Sequence, residues 1–137
     1  PYPEVADAVP DAGPLGGVIA ALETSPCPLV AAVAVDMPFA SPEVLKLLAR
    51  LHDGEDAVVP VTDAGLEPLH AVYATTALAP LRSALGARRY GMRDALSSLT
   101  VRTVGKKEWG SIEPSGRFAT NVNRPEDLDL LFGRRVQ

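Results

Sequence analysis

Leu29-Val30-Ala31-Ala32-Val33-Ala34-Val35 carries no polar side chain and leads directly into Asp36-Met37-Pro38. A carboxylate released at the end of an apolar strand needs a partner for its charge. A hard cation such as Mg²⁺ is one candidate, because it takes oxygen ligands and is commonly held by one or two carboxylates together with water and substrate phosphates. The other reading is an Asp that turns the chain ahead of a helix cap at Ser41, and position alone does not choose between them. Pro38 holds the backbone of the turn in either case.

Two further segments have residue types suited to a ligand. Gly13-Pro14-Leu15-Gly16-Gly17 lies just ahead of a helix, where glycines let a phosphate or base edge approach backbone N–H groups at the positive end of the helix dipole. The same glycines also suit a plain turn, or close packing of the helix on a sheet. Asn121-Val122-Asn123-Arg124-Pro125 sets two amides on one side of an alternating segment, with Asn123 placed as N-cap of a helix opened by Pro125 and Asn121 freer to face a crevice. Arg82, Arg88, Arg89 and Arg93 form the densest basic stretch, readable as an anion patch or as a solvated face. His70 and Tyr73 read as a half-buried strand residue and a core aromatic, His52 as the solvated end of a helix, and Trp109 as core. With no Ser or Cys at telling spacing from a histidine, a nucleophilic triad is not expected.

The elements that must position these residues follow from periodicity and punctuation. Glu4 to Val9 predicts a short strand. Leu15, Val18, Ile19 and Leu22 predict a helix opened by Pro14 and ended by Pro26 and Pro28. Leu29 to Val35, apolar at every position, suits a parallel strand covered on both faces. Ser41 and Pro42 open the next helix, Asp56 to Val61 is a strand, and Glu67 to Tyr73 is a shorter extended segment. Helical spacing recurs over Thr76 to Leu85 and Met92 to Leu99. Val101 to Val104 and Phe118 to Val122 are weak strands, and Pro125 to Phe132 is a last helix. Alternating strands and helices predict a three-layer α/β, Rossmann-like domain over residues 1–137, with a mostly parallel sheet and helices on both faces. Ligands in such sheets sit at the carboxyl ends of the strands, where Asp11 to Gly17, Asp36 to Pro38 and Asn121 to Pro125 all fall.

Composition narrows the function classes. A chain of 137 residues with 47% hydrophobic and 22% charged residues is globular and long enough to bury a core. Its net charge of −4 argues against charge-driven nucleic-acid binding, and its longest apolar run is far short of the roughly 20 residues of a membrane helix. The single Cys27 forms no internal disulfide, so a reducing, cytoplasmic setting is expected. The opening Pro1-Tyr2-Pro3-Glu4 lacks an initiator Met and reads as the start of a fragment or processed piece.

Four stretches in this order resemble the molybdenum cofactor guanylyltransferases of the MobA-like NTP transferase family. They are Asp7 with Gly13-Pro14-Leu15-Gly16-Gly17, Val33 to Phe39, Glu67 to Tyr73, and Asn121 to Leu128; the resemblance extends over essentially the whole chain. It implies a nucleotidyltransferase fold and transfer of GMP from GTP to molybdopterin or its molybdenum-loaded form, giving the guanine dinucleotide cofactor and pyrophosphate. It further implies that Asp36 is the catalytic Mg²⁺ ligand, that Asp7 and Gly13, Pro14, Leu15, Gly16 and Gly17 line the nucleotide, that Asn121 and Asn123 face the pterin phosphate or the metal, and that Arg89 faces the pterin or its phosphate. GTP and molybdopterin are the implied partners, with molybdoenzymes or cofactor-insertion proteins beyond them. A related transferase using CTP, or a sugar or alcohol phosphate, is the alternative enzyme; a non-catalytic nucleotide-binding adaptor is the alternative outside catalysis. Two departures stand out. Arg124 takes the place of a small hydroxyl residue, and the family's first strand with its Arg- and Lys-bearing glycine-rich loop has no counterpart in these residues. The chain alone is therefore expected to turn over weakly and to expose apolar faces and unpaired strand edges.

Overall fold

The computed structural model describes residues 13–34 and 37–120. The strand expected at Glu4 to Val9 and the helix at Pro125 to Phe132 lie outside the described residues. Helix α1 spans Pro14–Thr24 and β1 spans Leu29–Val33. Helix α2 spans Pro42–Leu51, and β2, β3 and β4 span Ala57–Thr62, Gly65–Leu66 and His70–Ala74. A 3-10 turn at Thr75–Ala77 leads into α3, Leu78–Gly86, and then α4, Met92–Leu96. The chain continues through β5, Val101–Val104, and α5, Lys106–Trp109, to a second 3-10 turn at Arg117–Ala119.

Local chemistry accounts for these boundaries. Pro14 occupies the first turn of α1, where a missing N–H costs nothing, and Gly13 enters it at φ 61 and ψ −141, a conformation nearly reserved for glycine. The Ser41 hydroxyl accepts a hydrogen bond from Val44 N–H at 3.2 Å and caps α2. The buried residues of α2 are Val44, Leu45 and Leu48, spaced along one face.

In the sheet, β4 lies between β1 and β2 and is antiparallel to both, while β5 pairs with β2 in parallel. It follows that β1, β2 and β5 run the same way, as the alternating pattern predicts. β4 is the long reversed strand, and its direction has a simple cause. Residues 63–69 alone separate it from β2, whereas a parallel return needs a crossover of about a dozen residues or more. Within that short link β3 doubles back on the end of β2, with Val61 opposite Leu66.

Alternating side chains supply two cores. Leu15, Val18, Ile19 and Leu22 of α1 meet Ala57, Val59, Ala71, Tyr73, Leu81 and Leu96 on one face of the sheet. On the other face Val44, Leu45 and Leu48 pack with Val58, Val72, Trp109 and Phe118. This is the expected three-layer α/β arrangement. Trp109 belongs to the core and its indole N–H donates to the Val61 carbonyl at 3.0 Å.

Three details depart from expectation. The residues of β1 are half-buried and Val33 is exposed, whereas an all-apolar run suggests cover on both faces. Apolarity reports neither strand direction nor the number of neighbours, and among the described residues β1 pairs with β4 alone. Met92–Leu96 is shorter than its helical spacing. The strand expected from Phe118 begins instead as a 3-10 turn. Gly116 turns the chain there at φ 68 and ψ 11, and a Cβ on it would lie 3.3 Å from the Trp109 ring. Phe118 is driven inward as a plug, edge-on to Trp109 with ring centres 5.0 Å apart.

Two substitutions test this packing. The Tyr73 hydroxyl, fully buried, donates to the Pro68 carbonyl at 2.6 Å. Tyr73→Phe leaves that carbonyl without its donor and is expected to cost about 1–3 kcal/mol. Leu48→Ala, cutting the core beneath α2, is expected to cost about 2–5 kcal/mol. Urea denaturation of both variants checks the pair; an unchanged midpoint for Leu48→Ala would contradict the packing of α2.

Candidate active site at the end of β1

Because β4 is antiparallel to its neighbours, its first residue stands beside the last of β1: Val33 lies opposite His70. The chain beyond β1 is then tied down at its two ends by neighbouring residues of the facing segment, one to each end. Ala34 N–H donates to the Leu69 carbonyl at 3.0 Å, and Ser41 N–H donates to His70 Nε2 at 2.9 Å. Between these anchors Met37 N–H reaches the Ala34 carbonyl at 3.3 Å and Ala40 N–H the Met37 carbonyl at 3.4 Å. Met37 is buried and Pro38 exposed. Asp36, the carboxylate for which this turn is of interest, lies outside the described residues, as do Asp7, Asn121 and Asn123.

His70 is fully buried. Burial pushes its imidazole down to about 4, opposed by its own backbone carbonyl, so it is neutral near pH 7. Since Nε2 accepts from Ser41, the proton resides on Nδ1, which has no hydrogen-bond partner among the described residues. The ring lies 4.7 Å from that of Phe118, in the segment that leads to Asn121.

Two more contacts brace this end of the sheet. Glu67 is buried behind the β2–β3 hairpin, and burial raises its carboxyl above the usual range against the opposing pull of Arg93 and the Thr62 hydroxyl. The Arg93 guanidinium donates to the Leu66 carbonyl at 3.1 Å and that of Ala64 at 3.4 Å. On the opposite side Arg117 lies 4.0 Å above the Phe39 ring centre. Pro38, Phe39, Ala40, Glu113, Ser115 and Arg117 line an open cleft of about 380 Å³ there. The Glu113 carboxylate, lowered first by the Ser115 hydroxyl, accepts from that hydroxyl at 2.6 Å.

The glycine segment reaches the same end. Helix α1 and β1 have nearly equal lengths, about 16 Å each from their residue rises, and are joined by residues 25–28, so the N-terminus of α1 lies where β1 finishes. Pro14 is exposed, whereas Leu15 and Gly16 are buried, and Leu15 is a core residue. Among the described residues no side chain caps this helix end. Arg89 is engaged elsewhere, its guanidinium bonded to the Asp94 carboxylate at 2.9 Å and the Ser97 hydroxyl at 3.0 Å. The basic stretch is thus divided: Arg82 pairs with Glu23, Arg89 with Asp94, and Arg93 with backbone carbonyls.

The sequence alone reads His70 as an ordinary strand residue and Arg93 as part of a basic stretch that is either an anion patch or a solvated face, and it gives Glu67 and Arg117 no site role of their own. Glu67 and His70 did fall in one of the stretches that carry the family resemblance; Arg117 has no comparable signal.

Among the described residues no three His, Cys, Asp or Glu side chains gather as a metal cluster. A cage built wholly from protein ligands is therefore not found among them. Among the same residues no helix is long and apolar enough to cross a membrane.

The family model of the MobA-like NTP transferase domain matches residues 1–104. The chain belongs to that family. It is 37% identical over 130 residues to a protein of Chloroflexus aggregans named "Probable molybdenum cofactor guanylyltransferase", a match covering 93% of this chain and 62% of that protein. A protein of the same name from Natronomonas pharaonis is 37% identical over 127 residues, covering 90% of this chain and 61% of its own length. The crystal structure of molybdopterin-guanine dinucleotide biosynthesis protein A from Archaeoglobus fulgidus superposes with a TM-score of 0.74 at 30% identity, covering 85% of this chain and 59% of that one. The chain thus spans about 60% of the length of these relatives.

The buried imidazole makes a pH prediction. The unfolded chain takes up a proton near the ordinary histidine value of 6.5, the folded chain only near 4. Between those values the unfolded state binds more protons, so the His70 contribution to stability rises with pH and is lost on acidification, on the order of 3 kcal/mol over the window. Glu67, raised by burial, pulls the other way. The difference between wild type and His70→Phe isolates the histidine: in urea denaturation from pH 7 down to 4, wild type should lose on the order of 3 kcal/mol relative to the variant, and parallel curves would show that His70 is not held neutral.

Proposed function

We propose that the protein containing this chain transfers GMP from GTP to molybdopterin or its molybdenum-loaded form, with Mg²⁺ as cofactor. A phosphate oxygen of the pterin attacks the α-phosphorus, a new P–O–P linkage forms, the α–β bond breaks and pyrophosphate leaves. Such a transfer asks a protein for alignment and charge neutralisation rather than for a covalent nucleophile. Asp36 is the residue that would hold Mg²⁺, which when bound neutralises charge on the triphosphate. The backbone of Gly13 to Gly17 faces the nucleotide at the positive end of α1, joined by Asp7. Asn121 and Asn123 meet the pterin phosphate. Arg89 joins them only by exchanging Asp94 for the phosphate.

The observation that carries this reading is convergence. The described flanks of three separate stretches, Met37 to Ser41, Glu67 to His70 and Arg117 to Thr120, meet at one end of the sheet through the Ser41–His70 bond, the His70–Phe118 contact and the Arg117–Phe39 contact. The names of the relatives supply the substrates, which enter this reading as part of the proposal.

Radiolabelled transfer from GTP to molybdopterin, with CTP in parallel and with Mg²⁺ added or chelated, tests it in the full-length protein. GTP is expected to outperform CTP, chelation to stop transfer, and Asp36→Asn to lower kcat/KM by about 100-fold or more, the range of losing a charge-stabilising group. Equal use of CTP would reassign the base, and normal turnover by Asp36→Asn would remove Asp36 from the metal. The 137 residues alone, which include no glycine-rich loop carrying Arg and Lys, are expected to transfer weakly.

A further inference from the structure

We infer that His70 is a positioning residue: it holds the described segment Met37 to Ser41, next in the chain to Asp36, by accepting the Ser41 amide and backing Phe118. The inference rests on the transfer reading of that turn.

The geometry begins with an amide that has no local acceptor. In a capping box the backbone N–H of the N-cap residue is met by Glu or Gln three positions on. Here that position is Val44, which has no acceptor to offer. His70, from the next strand of the sheet, supplies one at 2.9 Å. Ser41 is thereby fully engaged: its amide bonds His70, its hydroxyl accepts from Val44 N–H, and its carbonyl accepts from Leu45 N–H at 3.1 Å. The start of α2 is pinned to β4 by a side chain, just as the end of β1 is pinned to Leu69 by the backbone.

This staple is a costly choice for a core position. A buried imidazole whose Nδ1–H meets no partner among the described residues loses solvation that an apolar ring would never have had. Phe at this position would pack against Phe118 without that penalty. What Phe cannot do is accept a hydrogen bond, so of the two anchors seen among the described residues of 34–41 only the Ala34–Leu69 bond would remain. Core stability alone therefore gives no reason for histidine here; holding the turn does. His70 touches no reacting atom in this scheme and acts through Ser41.

The test compares His70→Phe, which keeps a buried ring, with His70→Gln, which keeps an acceptor. In the wild-type protein at pH 7, ¹⁵N spectra should show a neutral imidazole protonated on Nδ1, and the Ser41 amide should exchange slowly. In the Phe variant, Ser41 protection should vanish while the melting transition stays cooperative; the Gln variant should restore it. For transfer by the full-length protein, Phe should lower kcat by about 10- to 100-fold with KM for GTP little changed, the signature of a displaced rather than a deleted group. An Nε2–H tautomer, or unchanged Ser41 protection in the Phe variant, overturns the anchor. Lost protection with unchanged kcat overturns its service to the site. Should the Phe variant not fold, His70→Leu removes the same acceptor. If wild type transfers no nucleotide at all, the functional reading has failed, and the imidazole and amide signals still decide the anchor.

Discussion

The reversal of β4 is the constraint on which the rest of the structure depends. Among the described residues it is the one fully buried strand, inserted between β1 and β2 and bonded to both. A strand running against its neighbours starts where they finish. The segments after β1, around the β2–β3 hairpin and after α5 are therefore gathered at one edge, although they lie far apart in sequence. Had the link between β2 and β4 been long enough for a crossover, His70 would stand at the opposite end of the sheet and nothing would tie Ser41 down.

The bonds at this edge differ in kind from those of the core. On the two faces of the sheet, apolar side chains bury area, and many substitutions of similar volume would serve. At the edge, single polar contacts hold particular segments: Ser41 to His70, Arg93 to the hairpin carbonyls, and Arg117 over Phe39. Each joins elements distant in the chain, so each restricts the relative placement of loops rather than the stability of any one element. Arg117 and Arg93 are exposed, so solvent weakens their contribution, whereas the Ser41–His70 bond is partly buried and its acceptor ring fully so.

Much of this was legible in the sequence, for identifiable reasons. Helices α1 and α2 announce themselves through Pro14, Pro42, the Ser41 cap and apolar residues at helical spacing, all local signals. Alternation of strands with helices is enough for the three-layer α/β plan, and the glycine, Asp-Met-Pro and Asn-containing stretches in fixed order are enough for the family. Strand direction is another matter. An apolar run such as Leu29 to Val33 looks alike whether its neighbours are parallel or antiparallel, present on both edges or on one, so its half-exposure was invisible. The brevity of residues 63–69 did contain the answer for β4. Phe118 was misread because a buried aromatic suits a strand and a plug equally, and only the left-handed Gly116 decides for the plug. The residues expected to touch substrate, Asp7, Asp36, Asn121 and Asn123, lie outside the described residues, so their legibility rests on family pattern alone.

His70 shows why site geometry is harder to read than fold. Its apolar neighbours on β4 make it look like filler, and the partner that gives it meaning is the backbone amide of Ser41, which no side-chain pattern can reveal. Backbone groups are the same at every position; which of them lacks a local acceptor emerges only when the capping position, here Val44, is seen to be apolar. The same strand that closes the core thus carries the contact that shapes the turn. Substitutions along β4 can disturb the site through the core alone, as cavities beneath Val72 or Tyr73 would, or through the anchor alone, as loss of one nitrogen at His70 would. The first kind lowers stability in proportion to volume removed. The second shifts the turn with little volume change, and it is this separation that makes the imidazole, rather than the bulk of the strand, the feature that links the fold to its chemistry.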